Sequence, residues 1–120
     1  MKAAALTLTF FILLVMTNIN MALAKEPTPE TLAAGKEVFT KNCVICHGDT
    51  GAGDGVAGKA LNPHPRNFRK DPFKAGTTVD AIMNTVKNGL KGTAMAGFPS
   101  LKPEELKAVA YYVLKLRSGK

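Results

Sequence analysis

Five consecutive residues constrain this chain more than any other part of it: Cys43, Val44, Ile45, Cys46 and His47. An imidazole directly follows the second of two closely spaced thiols, and the chain contains only these two cysteines. Such a pattern is typical of a covalent attachment site or of a local dithiol. In either case the fold must present these three side chains together.

The Cys-x-x-Cys-His spacing is the one that attaches c-type haem, each thiol adding across one vinyl group of the porphyrin. On this interpretation Cys43 and Cys46 bind one haem c covalently, and His47 reaches the iron from the proximal side. The alternative is a redox-active or structural dithiol beside an incidental histidine. A thioredoxin-type site expects a strand–helix context with a central sheet. The present chain shows helical periodicity, which favours the interpretation as a haem attachment site over a thioredoxin-type dithiol.

The N-terminal segment has the pattern of a secretory signal peptide. Lys2 supplies a positive charge, residues 3–16 are apolar or hydroxyl-bearing, and a small-x-small cleavage pattern ends at Ala24. The apolar run is shorter than the ~20 residues that a membrane-spanning helix needs, so we expect cleavage rather than an uncleaved anchor. The sequence therefore predicts a signal peptide over residues 1–24, one mature domain over 25–120, and export to the periplasm.

The mature domain is small and basic. A domain of this size buries a limited core, so a buried haem would add apolar mass to a chain that has no tryptophan. The net charge is +7, but the lysines are dispersed, which argues against nucleic acid and favours acidic protein partners. Some lysines in or beside loops are candidates to surround the exposed haem edge, although plain solvation explains them as well. They are Lys41, Lys59, Lys91 and Lys102.

The first predicted helix carries the thiols. Thr28 is a suitable N-cap, and Pro29 suits the first helical position. A glycine inside a helix costs about 1 kcal/mol relative to alanine, so Gly35 indicates the close approach of another backbone. Apolar residues and thiols recur at steps of three or four, and we therefore expect one inward face to present both thiols. That face consists of Leu32, Gly35, Phe39, Cys43 and Cys46.

Two more helices are predicted, over residues 78–88 and from Pro103 towards the C-terminus, and no strand is predicted. The intervening sequence indicates a flexible glycine-rich loop over 48–58 and an ordered, extended loop over 61–68, where prolines restrict the backbone. Residues 53–58 match the dinucleotide fingerprint G-x-G-x-x-G. No strand precedes them, and the domain is too short for a Rossmann fold, so this match is rejected.

Few side chains are available as a second axial ligand. Met95 lies among small residues in an irregular stretch and belongs to no apolar stripe, so it is the predicted sixth ligand. Met83 lies beside the stripe of the second helix and is expected to be core. His64 is flanked by prolines on the segment expected near the proximal side, so we expect it at the surface or near a propionate. The predicted iron ligands are therefore His47 and Met95.

Essentially the whole mature chain resembles a small class I monohaem cytochrome c. The resemblance rests on the haem motif and on Gly35-x-x-x-Phe39, Leu61-Asn62-Pro63, Gly92-Thr93-Ala94-Met95 with Phe98, and Val109 with Tyr112. It implies an all-α fold of three main helices around one covalent haem, with the N- and C-terminal helices crossing. Gly35 and Phe39 would then pack against Val109 and Tyr112. The proximal histidine would donate to the carbonyl of Pro63 or, alternatively, of Pro65.

Two residues depart from the pattern of this class. Ala96 follows the methionine where many relatives have proline, which should leave the ligand loop less rigid. Lys102 stands where relatives often have a capping serine. Lysine is a poor cap, so the last helix is expected to fray at its start unless Ser100 contributes.

The resemblance implies a soluble periplasmic carrier that transfers one electron through its haem. With both axial positions filled, we expect no small-molecule substrate and no enzymatic activity. The expected partners are a donor reductase or membrane complex and an acceptor oxidase or reductase, which a monomer would contact transiently. Two alternatives remain: a haem enzyme or gas or redox sensor with a labile sixth ligand, and a haem-free exported thiol protein.

Overall fold

The computed structural model describes residues 26–120, and the regular elements of this part are all helical. The predicted signal peptide lies outside the described residues. Within them, no strand occurs, and no helix has the length and apolar character needed to cross a membrane. The helices are α1 (Pro29–Asn42), α2 (Val44–His47), α3 (Val79–Asn88) and α4 (Pro103–Ser118), with a 3-10 turn at Gly58–Ala60. The prediction of an all-α fold with three main helices is confirmed.

Helix α1 starts as its sequence predicts but ends before the second thiol. The hydroxyl of Thr28 accepts a hydrogen bond from the Thr31 amide at 3.2 Å. At the other end, the Asn42 side chain donates to the Val38 carbonyl at 2.9 Å, a local bond that competes with continued helix. Cys43 then separates α1 from the single turn α2. The helical face that was predicted to carry both thiols is therefore interrupted at Cys43.

Helices α1 and α4 cross closely at Gly35, as the resemblance implied. A β-carbon at Gly35 would collide with the carbonyl oxygen of Ala108 and would lie 2.9 Å from the β-carbon of Tyr112. The rings of Phe39 and Tyr112 pack with their centroids 5.4 Å apart, and Val109 is fully buried beside them. The crossing thus explains a glycine that is unfavourable for the isolated helix.

Helix α3 packs its apolar stripe against α4. The Thr78 hydroxyl accepts from the Ala81 amide at 3.1 Å, and Gly89 ends the helix with a φ of 75°, a conformation that favours glycine. Ile82 and Val86 are buried in the core. Met83 is partly buried and packs against the same core, as predicted.

The start of α4 has a cap that the sequence analysis missed. Lys102 offers no side-chain acceptor, but its amide donates to the carboxylate of Glu105 at 2.8 Å. This is one half of a capping box, and the negative charge also lies at the positive end of the helix. The support for this helix start therefore comes from Glu105 rather than from Ser100.

Candidate haem site

The loop that follows His47 folds back against the thiol motif. Three of its backbone amides donate to carbonyls of the motif at 2.8–3.2 Å: Gly53 to His47, Gly55 to Cys46 and Ala57 to Ile45. A β-carbon on Gly55 would collide with this backbone. The prediction of a flexible loop is therefore wrong, because the glycines let two backbones pack together and hydrogen-bond.

The two thiols differ in burial. Cys43 is buried, and Cys46 is half-buried. Burial, and to a smaller extent the nearby Cys46, raises the pKa of the Cys43 thiol to about 11. A reactive dithiol needs a thiolate whose pKa is lowered by its surroundings. The environment of Cys43 therefore disfavours the redox-active dithiol alternative.

The His47 imidazole is held by packing. Its ring centroid lies 4.9 Å from that of Phe68, and its Nδ1 atom is buried without a hydrogen-bond partner. Burial lowers the pKa of His47, an effect that the backbone of Arg66 partly offsets. The neutral imidazole favoured in this way is the form that binds metals. Neither Pro63 nor Pro65 accepts a hydrogen bond from this ring, and the backbone group that acts on it is that of Arg66.

Two adjoining cavities bring the predicted ligands together. The larger has a volume of about 330 Å³ and the smaller about 80 Å³. Cys43, His47 and Met95 line both of them, and Cys46 lines the larger. The remaining lining is mainly apolar. An apolar gap with two thiols, an imidazole and a thioether on its walls fits a covalently attached haem.

The loop between α3 and α4 holds Met95 at this gap. The Met95 amide donates to the Thr93 hydroxyl at 3.1 Å, and its carbonyl accepts from the Leu90 amide at 3.0 Å. A β-carbon on Gly89 would lie 2.5 Å from the Met95 carbonyl oxygen, so the chain passes very close to the end of α3. These contacts restrain the loop, although Ala96 stands where many relatives have a proline.

The pocket also includes residues to which the sequence analysis gave no role. Arg66 and Lys74 line both cavities, and Phe68 lines the smaller. No periodicity marks them, because only tertiary packing brings this segment over the motif. His64 is exposed and lines the larger cavity, as expected of a surface histidine.

Four lysines were candidates to surround the exposed haem edge. All four are exposed and none lines either cavity: Lys41, Lys59, Lys91 and Lys102. Lys41 is engaged with Glu37 at 2.7 Å one turn earlier in α1. The Nζ of Lys41 therefore lies against Glu37 of its own helix. Exposure to solvent accounts for the positions of all four lysines as well as docking to a partner protein does.

This fold and pocket define a c-type cytochrome domain, and comparison with known proteins identifies its family. Residues 30–113 match the family described as cytochrome c oxidase, cbb3-type, subunit III. The chain belongs to this family of cytochrome c domains, whose chemistry is electron transfer through haem iron.

The curated relatives are of two kinds. The chain is 31% identical over 110 residues to the cbb3-type cytochrome c oxidase subunit FixP of Bradyrhizobium sp., covering 90% of this chain but 36% of the relative. It is therefore similar to about a third of that longer subunit. It is 37% identical over 84 residues to cytochrome c6 of Bryopsis maxima, covering 70% of this chain and 90% of the relative.

A solved structure supports the same fold. A chain of the Kuenenia stuttgartiensis reducing HAO-like protein complex superposes with a TM-score of 0.68 at 29% sequence identity. The match covers 82% of this chain and 49% of that chain. The class of protein and the fold inferred from the sequence are thus confirmed.

Proposed function

We propose that this protein is an exported one-electron carrier that binds a single haem c. Cys43 and Cys46 attach the haem, and His47 and Met95 are the axial ligands of its iron. The observation that supports this most strongly is that the imidazole and the thioether, 48 residues apart in the chain, line the same two cavities. The haem, when bound, supplies the one-electron chemistry.

Each side chain has a distinct task in this proposal. The thioethers from Cys43 and Cys46 would tether the macrocycle, and the half-buried His47, whose pKa is lowered by burial, would provide an imidazole ligand. The Met95 thioether favours Fe(II) relative to a second imidazole and therefore raises the reduction potential. With His47 and Met95 both holding the iron, a bound haem would offer no ligand position to a substrate, so we propose a carrier and not an enzyme.

The comparisons support a redox protein as partner. Relatives named as oxidase subunits make a terminal oxidase the favoured electron acceptor, and a reductase or membrane complex would be the donor. The match to nearly the whole of a cytochrome c6 supports a domain that acts as a separate carrier. We propose that it works in the periplasm as a soluble monomer, in agreement with the predicted signal peptide.

The test is haem analysis of the protein purified after export. We expect a pyridine haemochrome spectrum of the c type, a mass increase of one haem that survives acidic acetone, and a reversible one-electron titration. A haem-free protein would support the thiol alternative. Rapid turnover of peroxide would support a haem enzyme, and binding of a gas to the reduced protein without denaturation would support a sensor.

Removing the Thr93 hydroxyl is expected to weaken the ligand loop. Thr93→Val removes the acceptor for the Met95 amide, a bond of about 1 kcal/mol, so added imidazole should displace the methionine roughly fivefold more readily. Imidazole titration of the ferric protein, followed by its absorption spectrum, measures this change.

Thr85→Val is the matched control for this experiment. Thr85 is likewise a threonine on the pocket wall, but its hydroxyl donates to the Ala81 carbonyl within α3 and makes no hydrogen bond to the ligand loop. Equal imidazole affinities for the two variants would show that Thr93 does not hold Met95.

A further inference from the structure

The last turn of α4 is tied to the loop that forms one wall of the pocket. Arg117 donates from Nη1 to the carbonyls of Phe68 and Asp71, the latter at 3.1 Å. Its guanidinium carbon also lies 4.6 Å from the centre of the Phe73 ring, which is cation–π geometry. One half-buried side chain thus connects both ends of segment 68–73 to the C-terminal helix.

Phe68, whose carbonyl accepts from Arg117, is packed on several sides. Phe68 is only 6% exposed, and its amide donates to the Gly51 carbonyl at 2.8 Å. A β-carbon on Gly51 would collide with the Phe68 ring, so this ring lies directly against the glycine loop. Phe73 contacts the same ring edge-on, with centroids 5.6 Å apart. The Phe68 ring is therefore enclosed by the glycine loop and by the segment that Arg117 holds.

The enclosed ring contacts the proposed iron ligand. The planes of Phe68 and His47 are inclined by 35°. An imidazole ligand usually donates its second N–H to an acceptor, which sets the ring orientation. Nδ1 of His47 makes no hydrogen bond of standard geometry within residues 26–120, although the Arg66 backbone lies close enough to the imidazole to raise its pKa. The orientation of this imidazole therefore depends on packing as well as on the Arg66 backbone, and Phe68 is the aromatic ring that contacts it.

We propose that Arg117 is a positioning residue for His47 and acts through Phe68. By joining α4 to segment 68–73, it presses the Phe68 ring against the imidazole and so determines the imidazole plane at the iron. Arginine suits this task because one nitrogen of its planar group donates to two carbonyls while the face of the same group lies over an aromatic ring. This inference rests on the proposed role of His47 as an axial ligand.

The test uses the purified ferric holoprotein and three variants. Arg117→Ala removes the tie, and Phe68→Leu removes the ring while leaving Arg117 in place. Arg69→Ala is the matched control, because Arg69 joins the same loop to α4 through the Leu116 carbonyl at 3.1 Å without contacting the pocket. The readouts are the paramagnetically shifted haem methyl resonances and the EPR g values, which depend on imidazole orientation.

We expect Arg117→Ala and Phe68→Leu to shift the same methyl resonances and g values, and Arg69→Ala to leave them as in the wild type. In the Phe68→Leu background, Arg117→Ala should produce less than about half of its original shift, because the two residues act in one chain of contacts. Arg117→Lys, which retains the charge, should give an intermediate shift and provides a second measurement should Arg117→Ala not fold.

Two results would overturn the proposal. One is that Arg117→Ala, or Arg117→Lys in its place, lowers thermal stability but leaves the resonances and g values unchanged. The other is that the shifts of Arg117 and Phe68 variants add in full. Failure of the proposed function itself looks different, since the wild-type protein would then lack a c-type haemochrome or a low-spin His/Met spectrum.

Discussion

Met95→Leu is expected to convert the iron from a low-spin His/Met centre to one that lacks its sixth protein ligand. Leucine is close to methionine in volume, so the loop should keep its packing while losing the sulfur. Loss of a thioether removes its preference for Fe(II), and the midpoint potential should fall by at least roughly 0.1 V of the ~0.8 V that axial ligands span. Redox titration and the ferric absorption spectrum measure both effects.

Two controls separate this ligand from its neighbours. Met83→Leu makes the same change at the other methionine of the described chain, which packs against the core between α3 and α4. It should leave the spectrum and potential unchanged. His64→Ala removes the alternative ligand from the wall of the larger cavity. Loss of the methionine-type spectrum in His64→Ala, but not in Met95→Leu, would show that Met95 is not the ligand.

Gly35→Ala is expected to destabilise the protein despite the better helix propensity of alanine. The gain for the isolated helix is about 1 kcal/mol, but the new methyl group would collide with the Ala108 carbonyl at the α1–α4 crossing. Overpacking of this kind costs about 1–3 kcal/mol or more, and backbone atoms on both sides cannot rotate away. The upper end of this cost applies to so close a contact, so after the helix gain we expect a net loss of roughly 2 kcal/mol, or a fall of about 10 °C in Tm.

Thermal unfolding of the holoprotein, followed by far-UV circular dichroism, measures this loss. Gly35→Val should cost more than Gly35→Ala, since it adds two more carbons at the same contact. Ala34→Val is the matched control: it enlarges an exposed neighbour in the same turn and should cost less than about 0.7 kcal/mol. A Gly35→Ala protein as stable as the wild type would mean that the helices can separate at little cost.

Local sequence patterns predicted the helices well. Thr28 caps α1 as expected, and the helix predicted over 78–88 is observed as α3, with Thr78 as its cap and Gly89 ending it at a positive φ. The cost of Gly35 correctly indicated a close helix crossing. These features depend on residues within about a turn of each other, or on one residue that is unfavourable without a tertiary contact.

The same patterns failed where two distant backbones meet. The glycine loop looked flexible because composition does not reveal the carbonyls of the thiol motif that its amides bind. Lys102 looked like a poor cap, since capping preferences describe its side chain and not the carboxylate of Glu105 that reaches its amide. The ending of α1 at Cys43 was missed because helical spacing alone continues through both thiols.

Short-range patterns in the sequence predicted the chemistry of this protein: two thiols and an imidazole at the spacing of a haem attachment site, and one methionine outside any apolar stripe. The contacts that support this chemistry are visible only in the folded chain. Folding places the Phe68 ring against His47 and ties Phe68 to Arg117, 49 residues further along the chain. Capping and periodicity act between residues a few positions apart, so they can be recognised in the sequence. The imidazole is held by side chains that are distant in the chain and meet only when α4 packs over the pocket.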